Sequence, residues 1–165
     1  MRKLITLFLL TFTVYANAQQ LKKPFSIFIT DNYNMQFLEN DYRITNDSLI
    51  ITAVNDKGVT HVDYLRRKLT KAEKKTLKEF LKTYNTDSFT VAEYFSEFKN
   101  LKFIDYMHYP RLMNLEFTAP GLHKKVKVTN CYVYRVADLI NIINQMIPEE
   151  VRIKYRKDDF NQTYP

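Results

Sequence analysis

Hydrophobic and polar positions alternate in short blocks along most of the chain, and two longer blocks switch to a helical period. Residues 25–30 are β-branched and aromatic, and Asp31-Asn32 closes them with turn chemistry, which predicts a strand. Residues 42–45 form a short extended piece. Asn46-Asp47-Ser48 then supplies side chains that imitate a backbone turn. Residues 49–54 are a strongly apolar strand. Asn55-Asp56-Lys57-Gly58 is a hairpin loop in which Gly58 is free to take positive φ, and the partner strand covers residues 59–69. These strands predict an antiparallel meander.

Thr70 and Glu73 are spaced as a capping box, so a helix is predicted from there to residue 83 or 84. Leu77, Phe80, Leu81 and Tyr84 recur at helical spacing and should face the core. Residues 91–98 read as a short helix or an irregular aromatic segment. Residues 101–109 read as a strand, Pro110-Arg111 as a turn, and residues 112–118 as a returning strand. Ala119-Pro120-Gly121 suits a type II turn, with proline second and glycine third. Val126 and Val128 alternate with Lys125 and Lys127, as in a half-exposed strand. A second helix is predicted over residues 134–147. Val136, Leu139, Ile140, Ile143, Met146 and Ile147 form its apolar stripe, and Pro148 stops it. Val151, Ile153 and Tyr155 alternate with Arg152 and Lys154 and predict a last strand. Residues 156–165 are polar and expected to fray. The order implies an α+β fold, a mainly antiparallel sheet covered on one face by two amphipathic helices.

The first eighteen residues stand apart from this pattern. Met1-Arg2-Lys3 is a basic start, residues 4–14 are apolar apart from threonines, and Ala16-Asn17-Ala18 is a small-x-small site followed by Gln19-Gln20. That is the layout of a secretory signal peptide, with cleavage expected between Ala18 and Gln19. A run of about a dozen apolar residues is too short for a spanning helix, which needs about 20. Gln19 is not cysteine, so no lipoprotein anchor is expected. The leader resembles those of small secreted proteins of the Bacteroidota. The resemblance covers only residues 1–18 and implies a lineage and a periplasmic or secreted location, not an activity.

Cleavage would leave 147 residues, enough for one domain over residues 19–155 plus the tail. The formal net charge of +7 would fall to about +5, because Arg2 and Lys3 leave. That balance fits an anionic surface and falls short of a dedicated nucleic-acid binder. The lone Cys131 cannot form an intramolecular disulfide. Two glycines, Gly58 and Gly121, are too few for a Gly-rich phosphate loop.

Three groups of residues could carry chemistry. Lys71, Lys75, Lys78 and Lys82 fall at i, i+4, i+7 and i+11 on the first helix, after Arg66, Arg67 and Lys68. They could bind lipid headgroups, acidic polysaccharide or an acidic protein, or could simply be the solvated back of an amphipathic helix. No aromatic residue punctuates them, against base stacking or bilayer insertion. Tyr94, Phe95, Phe98, Phe103, Tyr106 and Tyr109 could form a contact surface, or could fill a core without tryptophan. Tyr106 and Tyr109 are candidate binding residues of that surface, but they fall on opposite faces of the predicted strand, so both cannot point outward. His61 could pair with Asp63 on one strand face, and His108 follows Asp105. Ser48, Ser88, Ser96 and Cys131 sit in no nucleophile context, and His61, His108, His123 and Cys131 match no metal-ligand spacing. Asp87 or Glu93 with Glu97 could make a carboxylate pair, with nothing to separate them from surface acids.

A non-enzymatic secreted or periplasmic domain that binds a protein or envelope component is therefore expected. No cofactor, metal or nucleic acid and no membrane span after signal removal are expected. A small hydrolase with a His/Asp or Cys/His site is one alternative. A secreted hydrolase inhibitor is another, presenting the 55–58 hairpin or the 109–111 turn.

Overall fold

The computed structural model describes residues 24–32, 39–54, 61–84, 91–95, 111–160 and 162–165. Four strands come first: β1 (Ser26–Asn32), β2 (Glu39–Thr45), β3 (Ser48–Val54) and β4 (His61–Lys68). Helix α1 (Lys71–Tyr84) follows, then β5 (Val91–Phe95), β6 (Leu112–Ala119), β7 (Leu122–Thr129) and β8 (Tyr132–Val133). Helix α2 (Tyr134–Asn144), two 3₁₀ turns (Glu149–Val151 and Lys157–Asp159) and β9 (Thr163–Tyr164) complete the chain. The fold is mixed α and β, with a seven-stranded sheet ordered β4-β3-β2-β1-β6-β7-β5. Every pairing in that sheet is antiparallel except β5 on β7.

Register explains which side chains are buried. Tyr42, Ile29, Leu115 and Val126 are successive cross-strand partners from β2 to β7, and all four are buried. Ile44, Ile27 and Phe117 form the neighbouring row. Because side chains alternate between faces, these rows define one apolar sheet face. Its residues and the buried sides of both helices belong to one core cluster, with Leu77 and Leu81 from α1 and Val136, Leu139, Ile140 and Ile143 from α2. Lys124 lies in the same row as Phe117 and is buried too.

Several local signals act as the sequence predicts. Thr70 N donates to Glu73 Oε2 (2.7 Å) and Glu73 N donates to Thr70 Oγ1 (3.2 Å), which is the capping box. The β2–β3 turn falls at Asn46-Asp47 as expected, but its side-chain bonds come from Thr45, whose Oγ1 accepts from the backbone N–H of Ser48 and Asp47, while Asn46 Oδ1 is buried without a hydrogen-bond partner among the described residues. Gly121 has φ 77°, the left-handed value that the third position of a type II turn requires. The expected 55–58 loop, the 101–109 strand and Pro110 lie outside the described residues.

Other expectations are corrected. Residues 91–95 are a strand, not a helix or irregular segment, because they pair in parallel with Lys125–Thr129 of β7. Asp31 does not end β1 but sits buried within it. The second helix stops at Asn144, four residues before Pro148, although Ile147 is still buried. Residues 152–156 keep the predicted in–out alternation, yet they join no ladder. Side chains satisfy their backbone instead. Asn144 donates its amide to Ile153 O and accepts from Ile153 N, both at 2.9 Å. The tail expected to fray is docked: Phe160 is buried, and β9 pairs in parallel with β8.

Candidate functional site

The lysine row of α1 is built by its own helical period. Leu77 and Leu81 pull one side of the helix into the core, which leaves Lys71, Lys75 and Lys82 exposed. Lys78 departs from the expected stripe. It is half-buried, with its ammonium 5.8 Å from the ring centroid of Phe25, and desolvation together with Lys74 lowers its pKa. Lys74 leans the other way, toward Asp47 at 3.7 Å. Lys75 faces Glu79 at 3.8 Å, both well exposed, so the pair contributes little. Arg66 and Arg67 are committed elsewhere, to Asp63 at 2.7 Å and Glu73 at 2.6 Å. Lys68 is exposed two residues before the cap. The well-exposed amines of α1, Lys71, Lys75 and Lys82, therefore stand in a single file rather than a broad patch, with Lys75 facing the exposed Glu79 carboxylate beside it.

The sheet face turned away from the core is a second surface. Arg66, Ile50, Arg43, Phe28, Glu116 and Lys125 are successive cross-strand partners from β4 to β7. The Arg43 guanidinium lies 5.5 Å from the Phe28 ring centroid. A groove of about 340 Å³ runs beside Phe28, floored by Asn114 and edged by Glu93, Glu116, Lys125 and Lys127. Its charges answer one another. Glu93 pairs with Lys127 at 2.7 Å, and Glu116 with His123 at 2.9 Å and Lys125 at 3.8 Å. The hydrogen bond from His123 holds the Glu116 carboxyl below its ordinary value. This face presents paired charge and little net field.

A third constellation is buried and was not anticipated from sequence. Arg111 reaches Asp31 with Nε at 3.0 Å and Nη2 at 2.8 Å. Its Nη1 donates to Lys154 O, and its guanidinium stacks 5.2 Å from the Tyr155 ring centroid. Asn130, at φ 54°, accepts from Arg111 N (2.8 Å) and donates its own N–H back to Arg111 O (3.2 Å). Tyr155 donates to Cys131 O and accepts from Val133 N. Both Asp31 carboxylate oxygens and the Tyr155 hydroxyl are bonded to protein atoms in this chain of contacts, so it fastens the core. A lone Arg111 in a turn-like Pro-Arg pair gave no cue to this role.

Of the histidine and cysteine candidates, His123 and Cys131 can be placed, and they are not brought together. His123 sits at the start of β7 and Cys131 lies beyond its end, with about 20 Å of extended strand from His123 to Thr129. Burial pushes the Cys131 thiol up to about 11, which removes thiolate character at neutral pH. Asp63 holds Arg66 and accepts from Thr52, where a bulge between Ile51 and Thr52 leaves Tyr64 as the extra residue, 59% exposed. Tyr106, Tyr109, His108, Asp87, Glu97 and the His61 side chain lie outside the described residues. Among the described residues no three His, Cys, Asp or Glu side chains converge on a metal position, and no helix is long and apolar enough to cross a membrane. Arg111, at the end of the proposed inhibitory turn, is buried and cannot serve as an exposed anchor. The chain matches no family model, no curated protein and no solved structure.

Proposed function

We propose that this chain works outside the cytoplasm as a non-catalytic binding domain that engages an envelope component through the basic face of α1. The location rests on the leader, and the surface rests on how charge is distributed. Residues 71–82 of α1 contain five lysines and two glutamates, a net +3 of the about +5 that the chain carries after Ala18. Such an asymmetry concentrates the attractive field for an anion on one side of the molecule. The paired groove on the open sheet face competes poorly for the same partner. Both helices are inferred to lie over the apolar sheet face, an arrangement supported by their shared core, and this would keep the outer side of α1 available.

Cell fractionation of the expressed chain tests this reading. The exported protein should begin at Gln19 and sediment with the envelope. Lys71→Glu, Lys75→Glu and Lys82→Glu combined should shift it to the soluble fraction with an unchanged circular dichroism spectrum. Unaltered retention of the folded triple variant would remove α1 as the binding face.

A further inference from the structure

We propose that the partner of the α1 face is a linear acidic polysaccharide, an inference that rests on the binding reading above. At about 100° per residue, positions 71, 75 and 82 fall within a band about 40° wide. The eleven residue steps from the first to the last span about 16 Å of helix. With Lys78 turned onto Phe25 and Lys74 onto Asp47, the exposed amines stand in one file along the axis. A single file of point charges suits a chain of repeating anions better than a plane.

The residues beside the file narrow the choice. Ala72, Thr76, Glu79 and Thr83 are exposed neighbours on the outer side. The Thr76 and Thr83 hydroxyls donate back to Ala72 O and Glu79 O, so they are occupied within the helix. None of these side chains could enter the acyl region of a bilayer, which interfacial helices achieve with large apolar residues. None is an aromatic or arginine anchor of the kind that dominates protein interfaces. No aromatic group stands in the file to stack a nucleic-acid base. A carboxylated or sulfated glycan asks only for spaced cations, and its binding is driven by release of condensed counterions.

Binding of residues 19–165 to beads carrying polygalacturonate, with uncharged dextran beads and phosphatidylglycerol vesicles alongside, decides the matter. The expected result is capture by polygalacturonate and not by dextran. Three amine contacts on a linear polyanion should lose affinity on the order of tenfold between about 50 and about 200 mM salt. Lys71→Glu/Lys75→Glu/Lys82→Glu should abolish capture, and the matching triple arginine variant should keep it. Stronger binding to vesicles than to polygalacturonate, lost in the glutamate variant, would overturn the polysaccharide while leaving the basic face in place. Absence of binding to both anionic probes would overturn the basic face as well.

Discussion

Glu73 shows how much one side chain can fasten. Its Oε2 accepts from Thr70 N and from Arg67 Nη1, and its Oε1 accepts from Arg67 Nη2 at 2.6 Å. The same Arg67 Nη2 donates to Met146 O, so the carboxylate joins the end of β4, the start of α1 and the exit of α2. The hydrogen bond from Arg67 lowers the Glu73 carboxyl from 4.5 to about 2. A carboxyl depressed in the folded state stabilises the fold fully above its unfolded value, and that stabilisation fades as pH falls through the folded one. Urea midpoints should therefore decline between about pH 4.5 and about pH 2 through this group. Glu73→Gln should be less stable at neutral pH and should show a shallower decline across that window. Equal slopes for the two proteins would mean that Glu73 is not coupled to Arg67 in solution. The capping half of this arrangement was legible, since Thr70 and Glu73 stand three apart before an apolar run. The Arg67 half was not, because a partner six residues away on another element leaves no periodic trace.

At the scale of elements, alternation predicted the antiparallel strands of the large sheet well. It misled at residues 152–156, which alternate in burial without any ladder. Here side chains hold the middle of the segment, Asn144 at Ile153 and Arg111 at Lys154, with Tyr42 bonded to Val151 O just before it at 3.1 Å, while Arg152 N and Arg156 O bond within the flanking 3₁₀ turns. A pattern of inward and outward positions records burial and cannot tell a strand from an extended segment held this way. The reverse error occurred at β5, whose parallel pairing with β7 depends on partners about 34 residues along the chain. Arg111 and Asp31 are the most consequential of these long-range links. Both are about 95% buried, and they join β1 to the entry of β6 and onward to the extended segment. Arg111→Met should cost about 3–5 kcal/mol, because it leaves the Asp31 carboxylate buried without its cation. Asp31→Leu with Arg111→Met should lose less than the single change, since the isolated charge is then gone. Urea denaturation of the two variants gives the comparison. A double variant as unstable as the single one would show that the loss came from the Lys154 and Tyr155 contacts rather than from the stranded carboxylate.

The whole molecule is organised around β1, which pairs with β2 on one side and β6 on the other, joining the N-terminal meander to the C-terminal half. The candidate binding face was partly legible because lysine periodicity is written in the sequence. The inward turn of Lys78 was not, since it depends on Phe25 arriving from the start of the sheet. The same limit explains the tail. Residues 156–165 look dispensable by composition, but their one strongly apolar residue, Phe160, is 5% exposed. Its ring lies 5.3 Å from Tyr155 and 6.4 Å from Tyr132. Beyond it, Gln162 O accepts from Tyr132 N, and the Tyr164 ring lies 5.3 Å from Tyr94 of β5. The tail thus ties β8 and the edge strand of the large sheet together, at the far end of the sequence from β1. Removal of residues 157–165 should cost about as much as emptying a buried aromatic site, roughly 3–5 kcal/mol, and Phe160→Ala alone should account for most of it. Both changes should lower the urea midpoint without altering the charge file on α1, so polygalacturonate capture of the folded fraction should persist. A truncated chain with the full-length midpoint would mean that the tail frays in solution and that Phe160 contributes nothing to the core.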